Sequence, residues 1–193
     1  MASATKNKLK VVHCDSERLN NLFASTLDHY VFDSVKEIRF KQDALKSSTM
    51  QAQPVFTLNS VFRGPHIYRI RFSLRVRGSD SLLIEELPDD VIIGWFAHEL
   101  GHVVDYSNYS FLGMLGFGLR YLFSSSFRKK IEHRADQIAI EHGFHEEILA
   151  TKKFLFTHDL IDDKYRKKMK KYYMPLKTVE DWIEENVSID PVD

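Results

Sequence analysis

The sequence predicts an α+β domain, a small mixed β-sheet followed by helices, and three observations predict it. Short runs alternating apolar and polar residues are confined to the part of the chain before Gly78. Long runs with apolar residues at helical spacing dominate from Pro88 onward. Strand-like runs first and helical runs later is the pattern of an α+β domain rather than of alternating βα units. The third observation is size: 193 residues, 44% of them hydrophobic, suffice for one domain with a sizeable core. A single domain over 1–193 is therefore expected, with its core at about 60–145 and a C-terminal helical part at about 146–193.

In "DSERLNNLFASTLDHY", Asp15 or Ser16 can cap a helix whose Leu19, Leu22, Phe23 and Leu27 fall on one face. The runs "VKEIRF", "PVFTLNSVF" and "HIYRIRFSLRV" then read as strands. In the last, Ile67, Tyr68, Ile70, Phe72, Leu74 and Val76 mostly alternate with Arg69, Arg71, Ser73 and Arg75, the period of a half-buried strand. After Pro88, either Asp89 or Asp90 can cap "VIIGWFAHELGHVVDY". A connection from Ser107 to Phe127 leads to a second strong helix, "RKKIEHRADQIAIEHGF", with Gly143 as its C-terminal stop. The remainder reads as two or three helices, broken near Pro175.

Lys plus Arg and Asp plus Glu are both 27, so the formal net charge is zero and no nucleic-acid partner is expected. The basic clusters "RYLFSSSFRKK" and "DDKYRKKMKKYY" read as solvated helix faces. Cys14 is the sole cysteine, and the first residues lack an apolar targeting segment. A cytoplasmic location follows as the expectation. The most apolar run, "FLGMLGFGLRYLF", is shorter than the roughly 20 residues of a spanning helix, so no transmembrane segment is expected. The run should instead cover the active-site side of the domain, and weak contact with a membrane surface is the lipid role left to it.

The stretch "WFAHELGHVVDY" carries the chemistry. His98 and His102 lie one helical turn apart and can aim two imidazoles at one point, as zinc needs. Glu99 is rotated by about 100° around the axis. Its carboxylate can then stand beside the metal and take a proton from water, the H-E-x-x-H arrangement. Val91, Ile92, Trp95, Phe96, Leu100, Val103 and Val104 surround these polar residues, so the helix is largely buried. Two histidines and a glutamate there are costly unless paired or metal-bound. Gly94 and Gly101 each cost roughly 1 kcal/mol of helix propensity relative to Ala, which makes sense where another backbone packs closely. A catalytic zinc also wants a third protein ligand. Glu132, His133, Asp136, Glu141, His142, His145 and His158 are the downstream candidates. In "IEHRADQIAIEHGF", Glu132 and Asp136 lie four apart beside the stripe of Ile131, Ala135, Ile138 and Ala139. One of the two can bind metal while the other accepts a hydrogen bond from a ligating histidine.

"HELGH" followed by "EHRAD" resembles the gluzincin metallopeptidases, within them the HtpX and CAAX-prenyl-protease type and the soluble minigluzincins, over about Val91 to Gly143. The resemblance implies His98, His102 and Glu132 as ligands of Zn2+, Glu99 as general base and acid, and Asp136 as the residue that holds a ligating histidine. It also implies an edge strand above the active helix, a role for which "HIYRIRFSLRV" is the candidate. The integral-membrane relatives carry several spanning helices that are absent here, so a soluble core is expected. The expected function is zinc-dependent hydrolysis of peptide bonds in a peptide or protein substrate. The alternatives are a non-catalytic zinc-stabilised binding module and a SprT-like nucleic-acid-associated peptidase. Tyr172, Tyr173, His158, Arg134 and His142 are candidates for stabilising the oxyanion, and a zinc-blocking role for Cys14 is disfavoured against a plain thiol.

Overall fold

The computed structural model describes residues 9–186. Four strands form one sheet: β1 (Lys10–Val12), β2 (Glu37–Gln42), β3 (Met50–Pro54) and β4 (Ile67–Phe72), in the order β1-β2-β4-β3. The first three in that order run parallel, and β3 returns antiparallel to β4. Helix α1 (Glu17–Leu27) connects β1 to β2, and the short α2 (Ser60–Arg63) precedes β4. After the sheet come α3 (Asp89–Ser107), α4 (Phe111–Phe123), α5 (Ser125–Glu141), α6 (His145–Thr157), α7 (Asp163–Tyr172) and α8 (Leu176–Asn186). This is the α+β arrangement the sequence predicts.

Local chemistry explains most boundaries. Ser16 caps α1 by accepting from the Leu19 amide. Gly143 follows α5 at φ +93°, the left-handed stop that glycine adopts without strain. Helix α3 begins differently from expectation. Pro88 occupies the cap position, and Asp89 and Asp90 lie in the first turn, where carboxylates favour the positive end of the helix dipole. The run "PVFTLNSVF" is not a strand: β3 ends at Pro54, and Ser60–Arg63 turn as α2.

One face of the sheet is apolar. Phe40 of β2 stacks on Phe23 of α1 at 4.5 Å and meets Phe96 of α3 edge-on at 5.2 Å. Tyr68, Ile70 and Phe72 of β4 point the same way and are buried, while Arg69 and Arg71 alternate with them. Arg71 donates to Gln53 and Asp43 on the polar face. Helix α3 therefore lies between the sheet on one side and α5 and α6 on the other. Its two glycines make this possible. A Cβ on Gly101 would stand 2.5 Å from the Ala135 carbonyl of α5, and one on Gly94 would stand 2.1 Å from the Glu147 carbonyl of α6. The backbones touch there, as the cost of two interior glycines suggests. Buried apolar residues run from Leu19 to Val179, so the first strands and the C-terminal helices share one core. No helix among the described residues is long and apolar enough to cross a membrane.

Candidate metal centre and cleft

The close α3–α5 crossing at Gly101 brings two sequence-distant groups together. His98 and His102 are one turn apart on α3, and Glu132 faces them from α5. His98 Nε2 lies 3.2 Å and His102 Nε2 lies 3.5 Å from Glu132 Oε2. One donor atom from each residue falls within 4.8 Å of the others, and all three residues are buried. Two imidazole nitrogens and a carboxylate oxygen, converging in a site shielded from bulk water, form a group that can hold a metal ion.

The residues behind this donor group are specific. Asp136, one turn after Glu132 on α5, accepts from His98 Nδ1 at 2.8 Å. This fixes the ring so that Nε2 faces Glu132. The other oxygen of Asp136 lies 2.6 Å from Lys152 Nζ, which α6 buries beside it. Burial alone would raise the Asp136 carboxyl. Lys152 and then His98 outweigh it and hold the group below the ordinary carboxylate range. Burial would likewise raise Glu132, but hydrogen bonds from His102 and His98 hold it well below that range. For His98, burial disfavours the imidazolium, yet Asp136 and Glu132 overcome that and raise its pKa to about 10. The two carboxylates thus favour the protonated form of His98.

Glu99 has different surroundings. Its Oε2 accepts the backbone N–H of Ala52, on β3, at 2.5 Å. Burial pushes its carboxyl up, and His102 and His98 only partly oppose this. Glu99, His102 and Glu132 open onto a cleft of about 460 Å³. Strand β3 forms one wall, the inner face of α4 (Met114, Phe117, Gly118) another, and Lys168, Met169, Tyr172 and Tyr173 complete it. The apolar run 111–123 does cover the site side, as a single helix.

The edge-strand expectation needs correction. "HIYRIRFSLRV" contributes β4, which pairs on both sides and is interior. The free edge beside the cleft belongs to β3, "MQAQP", in which buried Met50 and Ala52 alternate with Gln51 and Gln53 over four residues only, a run too short to stand out beside β4. Among the oxyanion candidates, Tyr172 and Tyr173 line the cleft. The others are engaged elsewhere: His142 stacks on Tyr30 and donates to the Ile138 carbonyl, Arg134 donates to Asp105, and His158 accepts the Leu160 amide. Cys14 Sγ bonds Asn20 Oδ1 at the start of α1 and takes no part in the donor group.

Three participants were not read from the sequence. Tyr121 donates its hydroxyl to Glu132 Oε1 at 2.7 Å, holding the oxygen that faces away from the histidines. The Ala52 amide leaves no trace in sequence, because any residue supplies a backbone N–H. Lys152 does leave one: it interrupts the α6 stripe of Ile148, Leu155 and Phe156 at a core position. A comparison of the chain with known protein families, with curated proteins and with solved structures gives no match.

Proposed function

We propose that this chain is a zinc-dependent endopeptidase of the gluzincin kind. The observation that carries the reading is the placement of a carboxylate that is not a ligand, Glu99, beside a buried His98–His102–Glu132 donor group, at the floor of a cleft bordered by a free strand edge. Two histidines and one glutamate are the donor set of a hydrolytic zinc site with a coordination position left for water or substrate. When bound, zinc supplies Lewis acidity toward water and a peptide carbonyl.

The chain's own residues then divide the work. His98, His102 and Glu132 would hold the ion, with Asp136 and Tyr121 fixing His98 and Glu132 in place. An extended substrate would pair with the edge of β3 chiefly by donating to its carbonyls, since the Ala52 amide is held by Glu99. Gln51 and Gln53 lie within that strand, and Pro54 ends it without an amide to donate. The Ala52 amide anchors Glu99 Oε2, so the proton taken from water goes to Oε1 and returns to the leaving amine. Cys14 is an unpaired cysteine, which supports a reducing, cytoplasmic compartment as the place of work.

The test is cleavage of an unfolded protein such as casein and of a broad peptide library by the zinc-loaded chain, with chelator and Glu99→Gln as controls. Activity should vanish with chelator and fall about 10²- to 10⁴-fold in the variant, which should bind zinc as the parent does. Stoichiometric zinc without cleavage of any library member would replace this reading with a non-catalytic zinc module.

A further inference from the structure

The outer face of α4 is apolar and turned to solvent. Leu112, Leu119, Leu122 and Phe123 are 76%, 59%, 67% and 85% exposed, and Leu115 lies among them. Their spacing puts all five on one stripe, opposite the buried Met114 and Phe117. The surface continues past the N-terminus of α4. Phe56 meets Phe111 at 5.6 Å, and Gly64, which ends α2, adjoins the backbone of Tyr109 and Ser110. There Leu58 and Phe62 are also almost fully exposed. Exposed leucines scattered singly are ordinary, whereas a helix stripe joined to a second apolar turn marks a contact surface.

Along the two segments that carry this surface the charge has one sign, and Glu37, which lines a hollow beside Phe62 and Arg63, is paired with Lys10 and Arg39. Between Asp105 and Glu132 the chain contains no Asp or Glu but carries Arg120, Arg128, Lys129 and Lys130. Between Asp43 and Asp80 it again contains none, and carries Lys46 and five arginines. Arg63 ends α2, Arg120 lies on α4, and Lys129 and Lys130 follow in the first two turns of α5; all four are exposed. The chain as a whole is neutral, so the asymmetry is local.

We propose that this face docks on the surface of an anionic lipid bilayer, with the α4 stripe in the interfacial layer and the basic side chains among the headgroups. Each alternative occupant conflicts with one half of the pattern. A nucleic acid would meet the cations but leave the leucines and phenylalanines against phosphate. A second copy of the chain would bury the stripe but bring two basic rims together. A bilayer interface accepts both halves. With 13 residues, α4 is roughly 20 Å long and can only lie on such a surface. Leu122 and Phe56 belong both to the exposed surface and to the rim of the cleft, so docking would turn the cleft mouth toward the membrane. The surface stands on its own, whether or not the cleft is catalytic.

The experiment is flotation of the full chain with vesicles of phosphatidylcholine alone and of phosphatidylcholine mixed with phosphatidylserine. Binding to the mixed vesicles is expected, together with weaker binding to neutral ones. It should weaken further as ionic strength rises from about 0.1 M to about 1 M, where the screening length falls from about 10 Å to about 3 Å. Leu119→Ser with Phe123→Ser should reduce partitioning by roughly tenfold or more, and far-UV circular dichroism should show the fold retained. Lys129→Glu with Lys130→Glu, which touches no apolar contact, should lower binding to the mixed vesicles only. The proposal is overturned if the folded chain ignores mixed vesicles, or if both variants float like the parent. It is equally overturned if the chain is a dimer that the Leu119/Phe123 variant dissociates, or if it binds a DNA duplex and no vesicle.

Discussion

Lys152 and Asp136 form a buried ion pair, Nζ to Oδ2 at 2.6 Å, at the back of the His98–His102–Glu132 donor group. The other carboxylate oxygen holds His98 Nδ1, so a line of three charged or polar groups runs from α6 through α5 to α3. The Lys152 ammonium also lies 4.4 Å from the centre of the Tyr173 ring, on the cleft wall. A buried pair of this sort orders its neighbours more than it adds stability, and removing one partner strands the other.

Lys152→Met should therefore destabilise the metal-free fold, by less than the roughly 3–5 kcal/mol of a fully uncompensated buried charge, because Asp136 loses one partner and keeps His98. Lys152→Met combined with Asp136→Asn should recover part of the loss. Urea unfolding in the presence of chelator measures both. A single variant as stable as the parent would show that the pair contributes nothing. Asp136→Asn alone should lower zinc affinity by roughly 10- to 100-fold, since His98 loses its orienting acceptor.

The same groups set a pH dependence. Asp136 has a lowered pKa, so its contribution to stability is present above its ordinary value of 3.8 and is lost as pH falls through the folded value. His98 has a raised pKa, so its contribution is complete below 6.5 and is lost as pH rises through about 10. The metal-free protein should be most stable between these limits. Zinc needs a neutral imidazole, so binding should expel the His98 proton, and affinity should increase with pH across 6.5 to about 10. Calorimetric titration in two buffers of different ionisation enthalpy measures the released proton. Affinity that is flat with pH would contradict this account.

The ligand assignment separates two adjacent residues. Glu132→Ala should strip bound zinc, because it removes the acceptor shared by both histidines. His133→Ala should retain it, because His133 is absent from the donor group. Elemental analysis of the two purified variants decides, and the reverse pattern would overturn the assignment.

Much of the centre was legible because it is written in helix periodicity. His98 and His102 must share a face, and so must Glu132 and Asp136. Only their meeting across α3 and α5 needed the structure. The strand edge was misread for a physical reason. Alternation reports burial of one face, and β4 shows it because Tyr68, Ile70 and Phe72 face the core; the edge strand β3 shows it as well, over Met50 to Gln53. Being an edge is a property of pairing, which alternation does not record. Lys152 was legible in principle as a charge within an apolar stripe, but its partner lies on another helix. The Ala52 amide was not legible at all.

Two helix glycines without a positive φ, Gly101 and Gly116, give the sharpest contrast. Gly101 sits where α3 touches α5, and a methyl group there would stand 2.5 Å from the Ala135 carbonyl. Backbone cannot move aside as a flexible side chain does, so the helices must separate. Separation also draws His102 away from Glu132, since these two residues lie next to the contact on opposite helices. Gly101→Ala should therefore cost stability, although Ala gains about 1 kcal/mol of intrinsic helix propensity, and it should weaken zinc binding as well. A methyl group on Gly116 of α4 would meet nothing within 4 Å, so Gly116→Ala should keep the propensity gain and stabilise the protein by up to about 1 kcal/mol. Thermal unfolding of the two variants, each with and without zinc, gives the answer. Equal shifts of the same sign would mean that the α3–α5 contact tolerates a methyl group and that close approach is not what holds the donor group together.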